Sequence, residues 1–157
     1  MKKITPERLK NIALFYLERY DASSDKLRQV LKRRVKKASL EQPVSPQAFE
    51  WIEQIVTQMN QLGYVNDKHF AENLVRRYSE AGKSPSFIRS KLKSAGIDEM
   101  FISDMLEETD ELALARLTVQ KKHLGNDFQR DLARLARAGF SYETARTALE
   151  EVIKGRI

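Results

Sequence analysis

Apolar residues recur along the chain at steps of three and four, which is the spacing of one face of an α-helix. The first such stripe follows Thr5-Pro6, a capping residue with proline at the first helical position. A second stripe begins after Ser23 or Ser24, and a third after Ser45-Pro46. The three stripes comprise Leu9, Ile12, Ala13, Tyr16, Leu17 and Tyr20; Leu27, Val30, Leu31, Val35 and Ala38; and Phe49, Ile52, Ile55, Val56, Met59 and Leu62.

The same pattern, a capping residue followed by an apolar stripe, continues after Gly63 and predicts six further helices. Each has a polar residue that could cap its start, and most are followed by a glycine suited to a left-handed helix end. The predicted starts are Asp67, Ser84-Pro85, Asp98, Asp110, Asn126 or Asp127, and Ser141. The glycines interpreted as helix ends are Gly63, Gly82, Gly96, Gly125 and Gly139. No segment shows the alternation of apolar and polar residues that is typical of a β-strand. The sequence therefore predicts an all-α protein.

Two segments align without gaps at an offset of 43 residues. One contains Gly96-Ile97 and a later Leu106-Glu107-Glu108, and the other contains Gly139-Phe140 and Leu149-Glu150-Glu151. Each predicts a helix, a glycine turn, a buried apolar residue and a second helix. The repeat divides the chain into three units of three helices, at 5–63, 64–109 and 110–155. Such arrays bury a core between neighbouring units, so we expect an elongated, curved array.

The positive charge is concentrated at one end of the chain. The net charge is +6, but residues 1–40 hold 12 Lys and Arg against 4 Asp and Glu, whereas residues 41–157 hold 16 against 18. A local basic surface is typical of a protein with an anionic partner, either nucleic acid or an acidic protein surface. The alternative is a helix face that is simply solvated.

The second predicted helix holds most candidate binding residues. At about 100° per residue, Arg28, Lys32, Arg33 and Lys36 fall opposite its apolar stripe. Lys26 and Lys37 extend this basic face, which either binds an anionic partner or is solvated. Arg76 and Arg77 in the fourth helix either face a partner or neutralise nearby acidic residues.

Other features of the sequence argue against catalysis and against metal or cofactor binding. There is no cysteine, the only histidines are 54 residues apart, and no glycine-rich phosphate loop occurs. No stretch reaches the roughly 20 apolar residues of a membrane span, and no apolar signal segment follows Met1. We therefore expect a cytoplasmic, monomeric protein without a cofactor, a metal, enzymatic activity or a membrane partner.

Four motifs in a fixed order resemble those of the RecX family. The central one is Gly63-Tyr64-Val65-Asn66-Asp67-Lys68-His69-Phe70-Ala71, continuing to Leu74-Val75-Arg76-Arg77-Tyr78. The others are Ala13–Leu17 with Ser24, Leu27, Arg28 and Leu31; Ile88 and Leu92 with Gly96-Ile97; and Gly139-Phe140-Ser141-Tyr142. The chain departs from the family pattern at Asn66, where an acidic residue is frequent, and in the basic tract Lys32–Lys37. We interpret the motif residues as structural: Asp67 as a helix cap, the glycines as helix ends, and Ile97 and Phe140 as core residues.

This resemblance implies a three-repeat helical regulator of the RecA recombinase that takes part in DNA repair and the SOS response. Members of the family bind the RecA filament and mostly inhibit its recombinase, ATPase and coprotease activities. Two hypotheses stay open: a regulator that binds RecA, or a helical-repeat protein that binds single- or double-stranded DNA through its basic N-terminal unit. The motifs favour the first, and charge alone favours the second.

Overall fold

A computed structural model describes residues 2–155, and within that range the chain folds into nine α-helices without a strand. The all-α fold predicted from the apolar periodicity is thereby confirmed. The helices are α1 Pro6–Leu17, α2 Ser24–Ser39, α3 Ala48–Gln61, α4 Asp67–Glu80, α5 Pro85–Ser94, α6 Glu99–Leu106, α7 Glu111–Lys121, α8 Phe128–Arg137 and α9 Tyr142–Gly155.

Most helices begin at the polar residue that the sequence predicts. The side chains of Thr5, Ser23 and Ser84 each accept a hydrogen bond from a backbone N–H three residues further along. Asp98, Asp110 and Asp127 perform the same task for α6, α7 and α8. Each cap satisfies one of the N–H groups that the first helical turn leaves without an intrahelical partner.

Two predicted starts are wrong in position. Ser45-Pro46 does not open α3, because the Ser45 hydroxyl accepts the Gln47 N–H at 3.2 Å in a separate turn and the helix begins at Ala48. Asp67 does not cap α4. The cap is Asn66, whose side-chain oxygen accepts the His69 N–H at 3.1 Å. Asp67 is the first helical residue, and its carboxylate instead accepts the Ser24 N–H at 2.7 Å.

The end of α7 also differs from the prediction. The residue that ends the helix in the left-handed conformation is His123, with φ of 52°, although Gly125 also has a positive φ of 109°. Since α7 ends at Lys121, the reversal comes two residues before the glycine. Gly125 has a different use: its N–H donates to the Asp131 carboxylate at 2.7 Å.

The two glycine turns that define the sequence repeat are equivalent, as predicted. At the first, Gly96 donates to Lys93 and Ile97 to Leu92. At the second, Gly139 donates to Ala136 and Phe140 to Leu135. Both glycines have positive φ, at 76° and 99°. This is the Schellman pattern, in which two donors beyond the helix satisfy its last carbonyls.

Contacts divide the chain into two compact units, Met1–Ala71 and Glu72–Ile157. In the first unit, α3 packs against both α1 and α2, and the apolar stripes of the three helices meet in one core. Its fully buried members include Leu9, Leu27, Leu31, Ile52 and Met59. The boundaries predicted for three repeats, at 63/64 and 109/110, remain a prediction.

In the second unit, α9 packs against α7 and α8, and α5 packs against α6. The first group shares a core with Ala115, Val119, Leu135 and Leu149 at its centre. Two close contacts connect the α4–α5 turn to this core. The Thr118 hydroxyl donates to the Gly82 carbonyl, and the Ser84 hydroxyl donates to the Ala138 carbonyl at 2.7 Å.

Several residues of the predicted stripes are exposed. Tyr20, Phe49 and Leu62 each expose more than half of their surface, whereas we expected them in the core. All three lie at or near the end of a helix.

We predict that Gly82→Ala destabilises the protein more than Gly63→Ala. Both glycines have nearly the same positive φ, 77° and 79°, so both substitutions carry the cost of a left-handed alanine, roughly 1–2 kcal/mol. A Cβ at Gly63 meets nothing within 4 Å, but at Gly82 it lies 2.9 Å from the Thr118 hydroxyl oxygen. Displacing that hydrogen bond adds roughly 1–3 kcal/mol, measurable as the free energy of unfolding in urea. Equal losses would contradict the close approach.

The buried carboxylate of Asp131 leads to a second prediction, on how the free energy of unfolding depends on pH. Its carboxylate is 1% exposed, and the Gly125 N–H that it accepts lowers its pKa below the ordinary value. Since the folded pKa lies below the unfolded one, the stabilisation is complete above the unfolded pKa and is lost as the pH falls through the folded value.

Asp131→Asn should therefore lower the free energy of unfolding at neutral pH by about 1–2 kcal/mol and flatten its dependence on pH in the acid range. Asp127→Asn is the matched control, because Asp127 is an exposed cap and asparagine caps a helix equally well. If both variants keep the acid dependence of the wild type, the role assigned to Asp131 is wrong.

Candidate partner-binding surface

The candidate surface lies on α2, and the burial of this helix determines which side chains face outward. Leu27, Leu31, Val35 and Ala38 are buried against the rest of the first unit. These residues recur every three or four positions, so the residues between them point away from the core. The outward side chains include Lys32, Arg33, Lys36 and Lys37, and all four are exposed. The prediction of a basic face opposite the stripe holds for these residues.

An apolar groove runs beside these cations. It has a volume of about 390 Å³, and its far side is formed by the segment that leads into α3. We call it the α2 groove and define it by Lys32, Arg33 and Lys36 on one side and by Val44, Pro46 and Phe49 on the other. Phe49 leaves 54% of its surface exposed. The groove thus combines an open aromatic side chain with a border of positive charge.

The cations along the groove form no ion pair in the part of the chain that the structure describes. Within residues 2–155, no ion pair involves Lys32, Arg33, Lys36 or Lys37. Like charges spaced three or four residues apart on a helix destabilise it by a few tenths of a kcal/mol per pair. An anionic partner would remove that repulsion.

Arg28 and Lys26, in contrast, are engaged inside the unit. The Arg28 Nε donates to the Glu53 carboxylate at 2.6 Å, and its Nη1 donates to Asp25 at 3.2 Å. The hydrogen bond to Glu53, more than the charge of either carboxylate, raises the pKa of the guanidinium. Lys26 lies 5.4 Å above the ring of Phe70. Arg28 therefore connects α2 to α3.

Arg76 and Arg77 are both exposed on the part of α4 that belongs to the second unit. The Arg76 guanidinium donates to the Asn73 side chain at 2.7 Å, and that of Arg77 lies 5.2 Å from the ring of its neighbour Tyr78. Neither contact neutralises an acidic residue. A partner-binding role for this pair remains a prediction.

The motif residues have mainly structural roles. Phe70, Ala71, Ile97 and Phe140 are buried, which agrees with their interpretation as core residues. Tyr64 is different, because 57% of its surface is exposed directly after the Gly63 turn.

Sequence reasoning missed the apolar half of the groove and the buried Asp131. Val44 and Pro46 lie in a connecting segment that no periodicity describes. Asp131 did have a signal, since it occupies the third position after Phe128 on the apolar stripe of α8. A carboxylate at a core position indicates a specific hydrogen-bond partner.

Among the residues that the structure describes, no three His, Asp or Glu side chains come together as metal ligands would. No helix in the same range has the length and apolar character needed to cross a membrane.

Comparison with known proteins identifies the family. Residues 66–106 match the family model described as RecX, second three-helix domain. A regulatory protein RecX from Myxococcus xanthus is 32% identical over 164 aligned positions, which cover 95% of this chain and 88% of the relative. The chain belongs to the RecX family.

Other RecX proteins agree with this assignment. The regulatory protein RecX of Streptococcus mutans is 27% identical over 96% of this chain, which spans 62% of that longer relative. The crystal structure of RecX from Lactobacillus salivarius superposes with a TM-score of 0.67 at 24% identity, covering 93% of this chain and 95% of that one. Their shared fold is an all-α helical repeat.

The contacts of α2 yield a prediction that separates its two kinds of cation. Arg28→Ala should lower the free energy of unfolding by roughly 0.2–1 kcal/mol, because it removes two partly exposed ion pairs, one with Glu53 of α3 and one with Asp25 within α2. Lys32→Ala, the control on the same helix, should leave stability unchanged or raise it slightly, because it removes only repulsion. Urea unfolding measures both, and a larger loss for Lys32→Ala would contradict the assignment.

Proposed function

We propose that this chain binds the RecA recombinase filament and modulates it, mostly by inhibiting its recombinase, ATPase and coprotease activities. The observation that carries the proposal is membership of the RecX family, whose members are named regulatory proteins. In this proposal the chain acts by binding and performs no catalytic step itself. Its setting would be DNA repair and the SOS response.

The α2 groove is the contact surface that we propose within the first unit. A protein partner can place an apolar side chain against Phe49 and acidic side chains against Lys32, Arg33 and Lys36. Exposed aromatic side chains in a pocket are frequent hot spots of protein interfaces, and a surrounding polar rim is their usual setting. A DNA backbone would use the cations and leave the apolar side of the groove empty.

A second candidate function is DNA binding through the same basic face. Four exposed cations that form no ion pair among the described residues favour it: Lys32, Arg33, Lys36 and Lys37. Phosphate contacts release counterions, so this function would weaken steeply as salt increases. The two candidates are separable, because only the first requires the apolar half of the groove.

The experiment measures the RecA ATPase on single-stranded DNA with increasing amounts of each variant. Phe49→Ala should weaken inhibition about fivefold or more, because truncation of an interface hot spot costs more than about 1 kcal/mol. It should leave DNA affinity unchanged, because no charge is altered. Lys32→Glu with Lys36→Glu should weaken inhibition at least as much.

The charge-matched control is Lys68→Glu with Lys154→Glu, which changes two exposed lysines that do not line the groove. It should inhibit like the wild type. Binding to a RecA–DNA filament and to bare DNA is measured in parallel by fluorescence anisotropy. If Phe49→Ala inhibits normally, and inhibition by the other variants falls in step with their DNA affinity at every salt concentration, the DNA-binding candidate replaces the first.

A further inference from the structure

A second concentration of positive charge lies in the second compact unit, at residues for which the sequence predicted no site. A cavity of about 400 Å³ opens between the α4–α5 turn, the end of α7 and the last turns of α8. Its lining contains five cationic side chains and no carboxylate: Lys83, Lys121, Lys122, Arg134 and Arg137. We call this the basic cavity. The five residues are spread over 55 positions of the sequence and meet only through the fold.

Close backbone contacts fix the floor of the cavity. Gly82 and Thr118 both line it, and the Thr118 hydroxyl donates to the Gly82 carbonyl. Ser84 also lines it, and its hydroxyl both accepts the Phe87 N–H and donates to the Ala138 carbonyl. Three separate segments are thereby held together, and the cations project from a preformed depression.

Among the described residues, the cations around the basic cavity form no ion pair, although ion pairs are frequent elsewhere in the same unit. Arg89 pairs with Glu99, and Arg116 forms two hydrogen bonds with Glu151. Within the described part of the chain, no ion pair involves Lys83, Lys122, Arg134 or Arg137. Arg134 also acts at longer range on the buried carboxylate of Asp131, whose pKa it helps to lower. Lys121 donates to the Glu80 carbonyl at 2.5 Å, which leaves its charge uncompensated.

The ends of the helices explain only part of this arrangement. Lys121, Lys122, Arg134 and Arg137 lie at the C-terminal ends of α7 and α8, where a cation is favoured by roughly 0.3–1 kcal/mol. Lys83 has the opposite position. It directly precedes Ser84, the cap of α5, and the positive end of that helix disfavours a cation. The charge of Lys83 therefore adds to the positive potential at the N-terminus of α5. A bound anion would reduce this repulsion.

We propose that the basic cavity binds a phosphate group. Lysine and arginine are the side chains that recognise phosphate, through point charge and through paired N–H donors respectively. The N-terminus of α5, a helix of ten residues, contributes its positive end to the same place. The phosphate belongs either to the backbone of a nucleic acid strand or to a free nucleotide. Phe87 is half-buried in the lining, and the ammonium groups of Lys83 and Lys91 lie 5.1 and 5.3 Å from the centroid of its ring.

The test uses the full chain in the absence of RecA, so that its outcome is independent of the function proposed above. A fluorescein-labelled oligothymidylate is titrated with protein and followed by anisotropy at several salt concentrations. All proteins carry Lys32→Glu and Lys36→Glu, which removes the charges of the α2 groove. Lys122→Glu with Arg137→Glu is the test variant, and both positions are exposed.

The test variant should bind roughly tenfold or more weakly, because two charged contacts are lost. Its slope of log affinity against log salt should decrease by about 1.4, at about 0.7 per contact on a single strand. The matched control, Arg146→Glu with Lys154→Glu on α9, has the same charge change and should bind like the parent. Equal weakening by test and control variants would overturn the proposal.

Competition identifies the source of the phosphate. ATP and unlabelled oligothymidylate are added separately, and the amide NMR shifts of Gly82, Lys83, Ser84, Ser86 and Phe87 are recorded with inorganic pyrophosphate. Displacement by ATP at a similar phosphate concentration assigns a free nucleotide, and displacement by the oligonucleotide alone assigns a strand; both support a phosphate site. If polyglutamate of the same charge competes equally, or if pyrophosphate leaves these amides unmoved, the cavity does not select phosphate and the proposal is wrong.

Discussion

The α4–α5 turn and α7 approach each other so closely that a side chain cannot fit between them, and much of the second unit depends on this contact. At Gly82 a Cβ would come within 2.9 Å of Thr118, and at Gly139 within 2.6 Å of the Ser84 hydroxyl oxygen. A hydrogen bond accompanies each close approach: one joins α7 to the α4–α5 turn, and the other joins the same turn to the end of α8. Together they fix where α5 begins relative to α7 and α8. The cations of the basic cavity are brought together by this arrangement.

The two basic surfaces show how packing decides what a charged residue does. On α2, Arg28 lies opposite Glu53 of α3 and connects the two helices, whereas Lys32 and Lys36 lie further along and form no ion pair with any described residue. The helical periodicity assigned all three to one face. Only the position of the neighbouring helix determines which cation forms an ion pair within the unit and which stays exposed to solvent. The same distinction separates Arg116 from the residues of the basic cavity.

Helix boundaries illustrate a different limit. Capping depends on a few adjacent residues, so Thr5, Ser84 and Asp98 could be recognised from sequence. The prediction of the cap was wrong where two adjacent residues could both perform this role. Asn66 caps α4, and Asp67 is free to accept the N–H of Ser24, which lies 43 positions earlier in the chain. Sequence alone offers both assignments, because asparagine and aspartate are equally good caps.

The sequence by itself determined the helices, most of their caps, the equivalence of the turns at Gly96 and Gly139, and the basic outer face of α2. These features rest on spacings of three to six residues, which the local geometry of a helix imposes. Tertiary structure alone decided that Phe49 is exposed, that Asp131 is buried against Gly125, and that Lys83 and Arg137 share one cavity. Those outcomes depend on which distant segment covers a side chain, and a periodic pattern contains no such information.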